Sequence, residues 1–83
     1  MEDYKYDTQL LIDVKNADED AIYDEIVAKF EGDSLLVLAD EEVVKLHYHT
    51  NEPWKVLEYC KSIGDIYDIV IEDMHRQSKG LQG

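Results

Sequence analysis

The sequence predicts an α+β fold in the order β-α-β-β-α-β, and three observations carry that prediction. Two stretches, Asp7 to Val14 and Val43 to His49, alternate apolar and polar residues as half-covered strands do. Two more, starting near Asn16 and near Thr50, carry helix-start signals followed by an apolar stripe and a glycine stop. The chain holds 83 residues, room for one domain with a modest core.

In the first strand, Leu10, Ile12 and Val14 fall on one side, and Asp7, Gln9 and Asp13 on the other. Asn16 then opens a helix, with Glu19 at capping-box spacing and Asp18, Glu19 and Asp20 in the first turn, where negative charge suits the helix dipole. Its stripe is Ile22, Ile26, Val27 and Phe30, and Gly32 is the expected stop. Ser34 to Leu38 and Val43 to His49 read as a hairpin around the polar turn Ala39-Asp40-Glu41-Glu42. The second helix starts at Thr50 or Asn51, with Pro53 in the first turn, where its missing N–H costs nothing. Val56, Leu57, Cys60 and Ile63 supply its buried stripe, and Gly64 ends it. Ile66 to Ile71 is the last strand.

This order favours a split βαβ sandwich of ferredoxin-like type, a four-stranded antiparallel sheet with two helices on one face. The spatial strand order is then 4-1-3-2, so strands one and three are antiparallel neighbours. Leu10, Ile12, Val14, Val44, Leu46 and Tyr48 fit the helix-covered face. Asp7, Gln9, Lys45, His47 and His49 fit the open one. The start of strand one lies beside the end of strand three, which brings Asp7 to His47 and His49. Residues 1–76 read as a single domain, and 77–83 as a linker or disordered tail.

Charge narrows the function classes. With 20 acidic and 8 basic residues the net charge is −12. That argues against nucleic-acid binding, which needs Lys and Arg to neutralise phosphates, and against an anionic membrane surface. No apolar run approaches the length of a membrane span. The acidic start Met1-Glu2-Asp3 is the reverse of a signal peptide's basic one. A single cysteine, Cys60, excludes an intrachain disulfide and fits a cytoplasmic setting. No glycine-rich phosphate loop occurs, so this chain alone is expected neither to bind nor to hydrolyse ATP.

His47-Tyr48-His49-Thr50 is the most informative run. Residues two apart on a strand share a face, so His47 and His49 sit side by side. With Asp7 they form two imidazoles and a carboxylate, a donor set suited to zinc. The same trio suits acid–base chemistry, with Asp7 orienting an imidazole. The start of the second helix would aim backbone N–H groups at that corner. Thr8 and Thr50 are candidate substrate-binding hydroxyls, although parity points them toward the helices, where Thr50 also reads as a helix cap. Solvent-facing histidines on a half-exposed sheet are the plainer alternative. Cys60 reads as a core residue, His75 as solvated, and Trp54 as edge packing or a partner anchor.

The succession Gly32-Asp33-Ser34-Leu35-Leu36-Val37-Leu38, then Val44-Lys45-Leu46-His47-Tyr48-His49-Thr50-Asn51-Glu52-Pro53, then Val56-Leu57-Glu58-Tyr59 resembles the central domain of the dihydroxyacetone-kinase-like kinase subunit of bacterial fatty acid kinase. Tyr6 to Ile12 and Ile69 to Met74 extend the likeness over nearly the whole chain. The resemblance implies a central domain that dimerises and contributes residues to phosphoryl transfer. ATP and magnesium would bind a neighbouring domain, and a fatty-acid carrier protein would bind through another. The product implied is an acyl phosphate for phospholipid synthesis. The family's functional histidine pair maps onto His47 and His49. Where some members have a cysteine before the threonine of strand one, this chain has Asp7, which replaces a thiol by a carboxylate. Two alternatives stand beside this reading: a non-catalytic dimerisation or spacer module, and a ferredoxin-like regulatory domain for a small molecule.

Overall fold

A computed structural model describes residues 4–78. Its elements are β1 (Tyr6–Asp13), α1 (Glu19–Lys29), β2 (Asp33–Ala39), β3 (Val43–Thr50), α2 (Pro53–Ile63), β4 (Asp65–Asp73) and a short α3 (Met74–Ser78). The four strands form one antiparallel sheet in the order β2-β3-β1-β4, the arrangement expected of a ferredoxin-like α+β sandwich. Val14, Ala17 and Phe30 pack at the margin of the core.

Strand alternation decides what is buried. Leu10 and Ile12 of β1 and Val44, Leu46 and Tyr48 of β3 all point to the helix side and are 0–2 % exposed. Ile22 and Ile26 of α1 and Val56 and Cys60 of α2 meet them in one cluster, which places both helices on one face. Burying each large aliphatic side chain contributes about 1.5–3 kcal/mol, so this layer supplies most of the driving force for folding. Val27 departs from the expected stripe. It is 55 % exposed, because Ile22 and Ile26 already fill the narrow face that α1 turns to the sheet.

The helix ends also differ from expectation. α1 is capped by Asp18, whose carboxylate accepts from the Ala21 N–H, and not by Asn16. Asn16 sits at φ 52° in the preceding turn, and the Glu19 carboxylate accepts instead from the Ala39 N–H of β2. Thr50 is not the N-cap of α2: Glu52 holds that position without a side-chain cap, while the Thr50 hydroxyl accepts from the Glu52 N–H and donates to the Glu31 carbonyl. Gly32 lies two residues beyond the α1 C-cap, Phe30, and serves packing: a Cβ there would lie 2.4 Å from the His49 carbonyl oxygen and from the Tyr48 ring. The Tyr48 hydroxyl donates to the Phe30 carbonyl, tying the end of α1 to β3.

The last residues bring a helix that the pattern did not predict. α3 runs across the expected boundary at residue 77. The Asp73 carboxylate accepts from the Arg76 N–H at its start, and the Met74 N–H donates to the Lys5 carbonyl. His75, expected to be solvated, is half-buried in this helix. Residues 79–83 of the expected tail lie outside the described residues.

Candidate carboxylate–imidazole site

The open face of the sheet brings the sequence-predicted residues together. Antiparallel pairing sets Asp7 opposite His49 and Gln9 opposite His47. Asp7, His47 and His49 are each half-buried, and their ligand atoms all lie within 4.8 Å of one another. Nε2 of His47 is 2.8 Å from Oδ1 of Asp7, and Nε2 of His49 is 3.8 Å from the same oxygen. The two rings meet edge to face, with centroids 4.9 Å apart.

The other ring nitrogens determine what this cluster presents. Nδ1 of His47 lies 3.1 Å from the Ser34 carbonyl oxygen. A carbonyl only accepts, so that nitrogen must carry the proton. A neutral His47 then turns a lone pair, not a donor, toward Asp7. This agrees with the state of Asp7 Oδ1, which is buried and, among the described residues, has no aligned hydrogen-bond donor despite the 2.8 Å contact. Two acceptors so close require positive charge on or between them, as a second proton on the ring or as a cation. Around a tetrahedral zinc with ligands at 2.0–2.2 Å, donor atoms stand about 3.3 Å apart. The observed separations of 2.8 and 3.8 Å bracket that value, and the donor set is one that zinc accepts.

Asp33 was not among the residues expected here. Its Oδ1 stands 3.3 Å from Nδ1 of His49, on the far side of the ring from Asp7. It reaches that place through a bulge. β2 pairs Asp33 with His49 but Leu36 with His47, so three steps on β2 match two on β3. Ser34, at φ 57°, takes up the extra residue in the left-handed region, a conformation that costs a non-glycine residue about 1–2 kcal/mol. Glu72 of β4 pairs with Asp7 from the other side and receives a hydrogen bond from the Gln77 amide.

Thr8 and Thr50 are 0 and 2 % exposed, on the side of the sheet away from this cluster, as parity indicated. Among the described residues, Thr8 Oγ1 has no hydrogen-bond partner. Cys60 is a core residue whose thiol burial pushes up to about 12, so it stays protonated at neutral pH. Trp54 is 57 % exposed and packs edge to face on Tyr6.

The chain is a small α+β plait of ferredoxin-like type with two imidazoles and a carboxylate gathered on its open face. The particular family follows from comparison with known proteins. Over residues 3–81 the chain matches the FakA-like middle-domain family of fatty acid kinases, and it belongs to that family. It is 35 % identical over 79 residues to uncharacterized proteins of Staphylococcus aureus strains USA300, NCTC 8325 and COL. Each match takes in 92 % of this chain and 14 % of the relative, so the chain spans about a seventh of their length. No helix of the described residues is long and apolar enough to cross a membrane.

Proposed function

We propose that this domain supports ATP-dependent phosphorylation of a protein-carried fatty acid to an acyl phosphate, within a longer cytoplasmic kinase chain whose other domains hold ATP and magnesium and engage the carrier. The observation that carries the reading is the convergence of lone pairs from Asp7, His47 and His49 on the open face, around an Asp7 oxygen left without an aligned donor. Phosphoryl transfer depends on positioned charge and on a group that orients or accepts a proton, and this cluster supplies both. Zinc held by Asp7, His47 and His49 would supply a fixed positive charge at this spot and bring an open coordination position.

The open face also favours a homodimer. Leu36, Leu38 and Val70 are 44, 50 and 46 % exposed there, beside the polar cluster, and an apolar patch next to a site suits a second copy that encloses it.

The test is made in the full-length kinase. His47→Ala and His49→Ala should each lower acyl-phosphate formation strongly while leaving folding and assembly intact, since both side chains lie outside the core. Near-normal activity in the double variant would overturn the catalytic role and leave the dimerisation module. Sedimentation of this chain as a monomer at tens of micromolar, roughly the range that populates a weak dimer, would overturn the assembly reading.

A further inference from the structure

We infer that the bulge at Asp33-Ser34 is the positioning element of the site: it fixes both imidazoles with their protons on Nδ1 and so aims both Nε2 lone pairs at Asp7. This deepens the metal-binding part of the proposed function and rests on it for the affinity readout alone.

The two histidines are two residues apart on β3, yet their Nδ1 atoms face consecutive residues of β2. Ser34 offers its carbonyl oxygen to His47 at 3.1 Å, and Asp33 offers Oδ1 to His49 at 3.3 Å. Regular pairing cannot arrange this. Counting back one for one from Ala39 opposite Val44 would set Ser34, with its short side chain, opposite His49. The inserted residue moves Asp33 into that position, and the left-handed turn at Ser34 directs its carbonyl to the neighbouring ring. Asp33 is thus within reach of His49 only because the bulge exists. A non-glycine residue held in the left-handed region beside a candidate site is a known mark of functional strain. Free neutral imidazole favours the opposite tautomer, with the proton on Nε2, which would turn N–H groups into the cluster and block a cation. A carboxylate or carbonyl behind each ligand imidazole is the usual way to fix the required tautomer, and its loss typically weakens metal binding 10–100-fold.

Asp33 touches no reacting atom in this arrangement and acts through His49. The test compares this chain with its Asp33→Ala and Asp33→Asn variants by two measurements. Nitrogen-15 NMR of the metal-free imidazoles above neutral pH reads the tautomers directly, and competition with a chromophoric chelator reads affinity for zinc ion alone. In the parent chain both rings should carry a proton on Nδ1. In Asp33→Ala, His49 should shift toward Nε2–H while His47 keeps its pattern, and zinc affinity should fall roughly 10–100-fold with the melting temperature unchanged. Asp33→Asn, whose side-chain carbonyl still accepts, should restore most of both. A merely structural role for Asp33 would leave the His49 tautomer where it was. An Nδ1–H pattern at His49 that survives Asp33→Ala overturns the inference. If the parent chain binds no zinc, the metal reading fails, and the tautomers alone still decide the positioning role.

Discussion

The two faces of the sheet are drawn from the same strands and obey opposite rules. On the helix side, Leu10, Ile12, Val44 and Leu46 are enclosed in one apolar cluster. On the open side of the same strands lie Asp7, Gln9, Lys45, His47 and His49, and none of them belongs to that cluster. The covered face carries the free energy of folding, and the open face carries the candidate site. Because side chains alternate, a change on one face need not disturb the other, although the residues are covalent neighbours.

That separation can be broken most severely at Leu46. Leu46→Ala should destabilise this chain by about 2–5 kcal/mol in urea unfolding, from lost burial and the cavity left behind. Gly32→Ala comes next, at about 1–3 kcal/mol, since its methyl meets the His49 backbone and the Tyr48 ring at 2.4 Å. This substitution is the one expected to cross between the faces, because it moves the entry of β2 and with it Asp33. His47→Ala should change stability by roughly half a kcal/mol or less, although it adjoins Leu46. A loss at His47 as large as that at Leu46 would show that the open face is part of the core. Cys60 sharpens the contrast in another way. Its thiol, raised to about 12 by burial, should resist alkylation at pH 8 in the folded chain and react on unfolding.

The smallest effect is expected in acid. The Arg76 N–H, then Lys5, hold the Asp73 carboxyl below its ordinary value. A carboxyl depressed in the folded state adds stability at neutral pH, and that share is lost as pH falls below about 4. Asp73→Asn should therefore flatten the acid limb of the stability profile slightly, leaving the two faces equally affected.

Much of this arrangement was legible in the sequence. Alternation gave the faces of β1 and β3, the helix signals separated the strands, and the strand order that follows brought Asp7 to the histidines. What escaped has a common physical cause. Asp33 faces His49 only because of an extra residue at Ser34, and Ser is an ordinary strand residue with nothing in its type to announce a positive φ. Asn16 and Gly32 carried the right residue types for helix ends. Asn16 was recruited by a turn and Gly32 by contact with Tyr48, choices that tertiary packing makes. α3 contains one turn's worth of residues and no periodicity to detect.

Gly32 bears on the manufacture of the site in a further sense. Its backbone rests directly against the His49 carbonyl and the Tyr48 ring, leaving no room for a single carbon atom between the end of α1 and β3. Asp33 is the next residue. The clearance that places its carboxylate is therefore set by hard contact between backbone and ring, as a machined stop sets a tool, and not by the soft attraction between Asp33 and His49. A polar pair on a wet surface wanders when salt or pH weakens it. This one begins from a fixed datum.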